Sequence, residues 1–410
     1  MRSPSAVVGG DVAAIDTPAL VIDLDAMQRN IARMAAFARQ HGLALRPHAK
    51  THKSGRIAKL QIEAGAVGVC VQKLSEAEAL AAAGVSDIFI SNEIVDQAKL
   101  TRLAALARRI TLAVAVDSTL GVERLAAALK AAGTHGVVNV DVFVEIDVGQ
   151  GRCGVAPTAA GGLARQIVSH GANAGMGAGA GADPGAGAGV GVGVGAAPGG
   201  MRFAGLQAYH GNAQHLRGAH EREVAVRHAA SSVRAALASI TSAGINCPLV
   251  TGGGTGSFAF DAVSGVYGEL QPGSYVFMDS DYANNEAPEA ALAGPRFEHA
   301  LFVKSQVISR GFSHAVVDAG HKSHAIDSGM PQVWQRALDY SNGGDEHGIL
   351  QPRIGAAVDV LPQLGETVWL VPGHCDPTVN LHDQYVAVQG GLAGGTVVAA
   401  WPVDARGCLV

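Results

Sequence analysis

An alternation constrains the fold of this chain more than any other feature. Through the first two-thirds of its 410 residues, short apolar, β-branched runs are followed repeatedly by alanine-rich stretches with helical spacing. "PALVIDLD" (18–25) predicts a strand and "AMQRNIARMAAFARQHG" a helix, with Ile31, Met34 and Phe37 at helical spacing and Gly42 as the stop. "LALRPHAK", a helix through Leu60, and "GVCVQ" (68–72) come next, then "SEAEALAAAG", where Ser75 and Glu78 predict a capping box. "DIFI" (87–90), "ITLAVAV" (110–116), "VNVDVFVEID" (138–147), "FAGLQAYH" (203–210) and "PLVTGGG" (248–254) continue the series. Repeated units of this kind predict a parallel sheet covered by helices. Eight of them favour a (β/α)8 barrel over an open, doubly wound sheet. "GELQPGSYVF" (268–277) would be a ninth strand, so either the first or the last run belongs elsewhere.

After about Met278 the helical periods fade. "ALFVKSQVISR", "FSHAVVDAG", "ETVWLVPG" and "GTVVAAWPVDARGCLV" predict a second, β-rich domain. The expected organisation is an N-terminal segment 1–25, a barrel over 26–275 and a β domain over 276–410. Residues 172–200, almost entirely Gly, Ala and Val, interrupt the barrel as an expected flexible, non-catalytic insertion. Composition excludes little else. A net charge of −5 with no basic block argues against nucleic acid or an anionic membrane as partner. Five scattered cysteines without a CxxC, and no apolar leader, predict a reduced, cytoplasmic protein.

Barrel chemistry sits at the carboxyl ends of the strands. Those ends carry Lys50, His52 and Lys53; Gln72 and Lys73; Asn92 and Glu93; Asp117; Asp147 and Arg152; Tyr209, His210, Asn212 and His215; and "TGGGTGS" (251–257). Successive glycines after a strand let backbone N–H groups approach an anion, with Thr255 and Ser257 adding hydroxyls. A plain Gly-rich turn is the alternative. A strand-end lysine beside a phosphate cradle suggests pyridoxal 5'-phosphate (PLP), held covalently through its aldehyde. That bond needs a neutral amine, and His48, His52 and Lys53 could lower its pKa by their charge. Without this context, either lysine would be an ordinary solvated side chain. In "VPGHCDPTVNLHD" (371–383), His374 and Asp376 would point the same way on an extended stretch and could share a divalent ion, with Cys375 facing away. Such a pair is more often structural.

"RPHAKTHKS", "GVCVQKLSEAEALAAAGVSDIFISNE", "IDVGQGRCGV", "LQAYHGNAQH", "VTGGGTGSF", "ELQPGSYVFMD" and "PGHCDPTVNLHD", in that order, resemble the fold-type III PLP enzymes of the D-threonine aldolase and D-serine dehydratase-like group, relatives of alanine racemase. The resemblance implies a PLP barrel with a C-terminal β domain, a homodimer, and a first strand that joins the β domain. It implies that Lys50, not Lys53, binds PLP and that Arg152 faces the pyridine nitrogen. Gln72 would lie near the ring, while Tyr209, Gly253, Gly254, Thr255 and Tyr275 would hold the cofactor and its phosphate. His374 and Asp376 match the metal pair. The dehydratase branch typically has cysteine at the second position, so Asp376 points to the aldolase branch, and its oxygen suits Mn²⁺ or Mg²⁺ better than Zn²⁺.

The expected reaction is therefore retro-aldol cleavage of a D-β-hydroxy-α-amino acid, D-threonine or 3-hydroxy-D-aspartate, with His215 as candidate base and metal-bound water as the alternative. Dehydration to a 2-oxo acid and ammonia is the rival. A racemase or a non-enzymatic PLP-binding protein fits less well.

Overall fold

The computed structural model describes residues 6–133, 139–173, 200–288 and 294–410. Of the Gly/Ala-rich run, 174–199 lies outside the described residues, so its expected flexibility has no structural counterpart here.

Among the described residues, eight parallel strands form the first sheet: β2 (Ala44–Leu45), β3 (Val69–Val71), β4 (Asp87–Glu93), β5 (Thr111–Val116), β6 (Asn139–Glu145), β7 (Gly200–Ala208), β8 (Val250–Gly252) and β9 (Glu269–Leu270). Their order runs β2-β9-β8-β7-β6-β5-β4-β3. The two edges meet just past β2, where the Cys70 N–H donates to the Pro47 carbonyl (2.8 Å) and the Ala49 N–H to the Cys70 carbonyl (2.7 Å). The sheet thus curls round into the expected (β/α)8 barrel. Its strands are buried on both faces. Cys70, Phe89, Ala115 and Phe143 pack together on one face, while Val69, Ile88, Val114 and Val142, one position away, pack with the surrounding helices. This two-sided burial is why the strands read as continuous apolar runs. The ninth run supplies β9 with only two residues and then turns into a single helical turn, Ser274–Val276.

The strand preceding these, β1 (Ala19–Asp23), lies in the other sheet, antiparallel to β10 (Leu301–Arg310) and parallel to β16 (Gln384–Gln389). That sheet is completed by β11 (Ala315–Val317), β12 (Gln332–Val333), β13 (Leu338–Asn342), β14 (Gly348–Pro352), β15 (Thr367–Val371) and β17 (Thr396–Pro402). Helix α1 (Leu24–Gln40), started by the Asp23 carboxylate on the Ala26 N–H, joins the two bodies. Its first half buries Met27 and Ile31 in the β-domain core and its second half Met34, Phe37 and Ala38 in the barrel core.

Two local expectations are corrected. The helix after β3 begins at Leu74, not after Ser75, because Glu76 rather than Glu78 accepts the N–H groups of Gln72 and Lys73 (2.9 and 3.1 Å). Glu78 instead pairs with Arg102. Further on, the His374–Asp376 stretch is not extended throughout. His374 is extended, but Asp376 lies in the first turn of a short helix, Cys375–Val379, that His374 leads into. Cys375 is buried in the β-domain core.

Candidate active site

Lys50 follows the bridge that closes the barrel. Its Nζ lies 2.9 Å from Asp376 Oδ2, so the strand-end lysine of one domain meets the helix-start carboxylate of the other. The Lys50 side chain is 41% exposed, whereas that of Asp376 is only 13% exposed. Burial pushes the Asp376 carboxyl up, but the charges of Lys50 and His374 outweigh it and hold it well below the usual carboxylate range. The same pairing raises Lys50, by the Asp376 charge acting against desolvation.

This corrects the expectation of a positive field around the amine. Burial drives His48 well below its ordinary value and His52 down to about 4, so both rings are neutral at pH 7. Lys53, in a left-handed turn (φ 49°), points into a buried pocket, where its Nζ meets Glu76 (3.3 Å) and Asn380 (3.1 Å). In this arrangement a negative neighbour, Asp376, dominates the surroundings of Lys50. Drawing that carboxylate onto a cation would free the amine.

Around Lys50 the strand ends bring several of the expected residues together. Gln72 Nε2 lies 2.9 Å from His48 Nε2 and donates to the Ser91 carbonyl (3.3 Å), which fixes its amide. The Arg152 guanidinium lies over the Tyr209 ring, 5.8 Å from its centroid, and both residues act electrostatically on the Lys50 surroundings. In the Gly-rich turn, Gly253 has φ +72°, and a Cβ there would stand 2.6 Å from Asp261 Oδ2. The Gly254 N–H and Ser257 Oγ both serve Asp261, whose buried carboxyl is pushed up to about 7. Thr255 Oγ1 accepts the Tyr275 N–H (3.1 Å). The Tyr275 ring is fully buried, with its hydroxyl taken by Gln61 Nε2 (3.1 Å), so only its backbone faces the turn.

The donor set at His374 and Asp376 is of a kind that suits a divalent ion. Asp376 Oδ1 is buried and makes no hydrogen bond of regular geometry among the described residues; the Thr51 hydroxyl acts on the same carboxylate, and this oxygen is the one that could turn to an ion. His374 Nδ1 is held 2.7 Å from Asp327 Oδ2, which leaves Nε2 for an ion, the usual carboxylate–histidine support of a ligating imidazole. The charges of Asp376 and Asp327 overcome desolvation and raise His374.

His215 lies on the turn Asn212–His215 with Nδ1 2.6 Å from Asp281 Oδ2. Asp281 and Asp327 are not legible in the sequence, because the first sits in a four-residue helix and the second in a turn, neither with a motif around it; "MDSDY" is the single hint for the former. Glu145, at the end of β6, was also missed. Its carboxyl is pushed up to about 9 by burial, then by the charge of Glu93 and a hydrogen bond with it, against the opposing charge of Arg152.

Fold and site together define a class, an alanine racemase-like barrel whose strand-end lysine meets a His–Asp pair from a β domain. Comparison with known proteins agrees. The family model "Alanine racemase, N-terminal domain" matches residues 22–178 and "Putative serine dehydratase domain" matches 300–388. A D-threonine aldolase of Arthrobacter sp is 43% identical over 98% of this chain and 96% of the relative. A 3-hydroxy-D-aspartate aldolase of Paracoccus denitrificans (strain Pd 1222) is 39% identical over 98% and 95%. The crystal structure of D-threonine aldolase from Filomicrobium marinum superposes with a TM-score of 0.87 at 43% identity, covering all of both chains. The chain belongs to the D-threonine aldolase family of fold-type III, PLP-dependent lyases.

Proposed function

We propose that this protein cleaves the Cα–Cβ bond of D-threonine or 3-hydroxy-D-aspartate, releasing glycine and acetaldehyde or glyoxylate. The observation that supports the reading is the 2.9 Å contact between Lys50 and Asp376, the amine we assign to PLP and the carboxylate we assign to the metal. Full-length likeness to two aldolases supports it.

PLP, when bound, would draw electrons away from the substrate's Cα; Lys50 would hold its aldehyde and the turn at Gly253, Gly254 and Thr255 its phosphate. Arg152 would face the ring nitrogen, and a cation there does not favour ring protonation. Tyr209 and Gln72 would border the ring, while Tyr275 would support the phosphate turn through its N–H. A divalent ion at His374 and Asp376, Mn²⁺ or Mg²⁺ by the oxygen donor, would make the β-hydroxyl more acidic. The chain's own part is proton handling. His215 Nε2 accepts the hydroxyl proton, the O–H electron pair becomes the aldehyde C=O, and the Cα–Cβ pair stays on Cα until a proton arrives there to give glycine. The same reading makes the protein a cytoplasmic homodimer.

Incubation of the purified protein with D-threonine, 3-hydroxy-D-aspartate and D-serine tests the proposal. Glycine with acetaldehyde or glyoxylate is the expected outcome. A 2-oxo acid with ammonia would overturn it in favour of dehydration. Loss of glycine release on chelation, restored by Mn²⁺, is expected and separates the aldolase from a racemase.

A further inference from the structure

The turn between the two domains joins the base to the metal pair. Asp279 caps the short helix Ser280–Ala283 by accepting the Tyr282 N–H on Oδ1 (3.0 Å). Its other oxygen accepts the N–H of Cys375 (3.1 Å), the residue between His374 and Asp376. The N–H groups of Ser280 and Asp281 donate to the carbonyls of Pro372 and Gly373 (3.0 and 3.2 Å). Three successive residues are thus pinned to the metal-bearing loop.

The opposite side of the same turn grips His215. Asp281, 6% exposed in its side chain, offers Oδ2 to His215 Nδ1 at 2.6 Å and Oδ1 to Arg217. Arg217 also donates to the Asp281 carbonyl (2.6 Å) and to Asn285 Oδ1 (2.9 Å). Asn285 in turn donates to the Gln214 carbonyl (2.9 Å) beside His215. The Tyr282 ring lies against the imidazole, with centroids 5.3 Å apart.

We infer that residues Asp279–Tyr282 are a positioning element in which Asp281 holds the His215 proton on Nδ1, so that Nε2 carries the free electron pair, and in which the turn fixes that nitrogen relative to His374 and Asp376. A carboxylate can only accept, so its partner nitrogen must be N–H, and a neutral imidazole then has its lone pair on the other nitrogen. Arg217 occupies the second carboxylate oxygen and keeps Asp281 from turning away. The inference rests on the reading of His215 as the base.

The test uses the PLP-loaded, metal-loaded full chain labelled with ¹⁵N-histidine. His215 in the wild type should show an Nδ1–H, Nε2-unprotonated ring, assigned by difference against H215Q. In D281N that tautomer preference should be lost, and kcat for glycine release should fall roughly 10- to 100-fold, as for other residues that support an active group. KM should stay within about twofold. D281E, which restores the carboxylate, should recover part of the rate. An Nε2–H ring in the wild type, or an unchanged kcat and tautomer in D281N, would overturn the inference. Full activity in H215Q would instead remove the base reading, with the tautomer of the ring still deciding whether Asp281 positions it.

Discussion

Two lysines three residues apart in "PHAKTHKS" have opposite fates, and the backbone decides which. Lys50 ends part-exposed beside Asp376, while the left-handed turn at Lys53 sends its amine into the buried company of Glu76. Lys50→Ala is expected to lose the visible absorbance of bound PLP. Lys53→Ala should keep that band yet lose stability on the order of 3 kcal/mol, since Glu76 would be left as a buried carboxylate without its cation. A spectrum and a urea titration of each variant check both. A second residue-scale expectation concerns Glu145. Its folded-state value of about 9 lies above the 4.5 of a free carboxyl, because of burial and then Glu93. Between those values the folded chain keeps a proton that the unfolded chain has released. This contribution to stability is therefore complete below about pH 4.5 and is lost as pH rises toward 9, at no more than about 1.4 kcal/mol per pH unit. Glu145→Gln, which keeps the shape of the protonated acid, should remove that slope. The gap between variant and wild type in urea midpoint should widen from pH 6 to pH 8.5. Neither environment was visible in sequence, where Lys50 and Lys53 look alike and Glu145 looks like one more strand-end polar residue.

Elements were more legible than side-chain surroundings. The barrel strands announced themselves by apolar runs buried on both faces, and the glycine turn after β8 by its composition. What the pattern could not show is how closely the turn packs on its neighbour. A Cβ on Gly256 would come within 2.3 Å of the Gln214 carbonyl and 2.9 Å of its Cα, backbone atoms adjacent to His215. Gly256→Ala is therefore expected to displace both loops, at a cost of about 1–3 kcal/mol. Dialysis should strip PLP from the variant faster than from the wild type; equal retention would show that the two loops move independently. The helix-start assignments failed for a related reason. Ser75 and Glu78 have the right spacing, but Glu76 reaches N–H groups that put the helix start two residues earlier. The expected extended geometry at His374–Asp376 gave way to a helix that starts at Cys375, whose own side chain is drawn into the β-domain core.

For the whole molecule, the first strand lies in the last domain and one helix shares its face between two cores, so barrel and β domain are built as one unit. Repetition along the chain revealed the barrel, and the loss of helical period revealed the β domain. Their meeting at Lys50 and Asp376, separated by more than 300 residues, is a long-range contact that no local pattern encodes. The family resemblance named both residues without placing them side by side. That meeting is tested most directly by product analysis of Asp376→Ala loaded with PLP and Mn²⁺. The wild type should release glycine and acetaldehyde from D-threonine in equal amounts. The variant should keep the visible absorbance of bound PLP and lose glycine release by at least 100-fold, on the order of the loss of a metal-held activating group. Glycine release at the wild-type rate from the variant would show that the carboxylate beside Lys50 has no part in the cleavage.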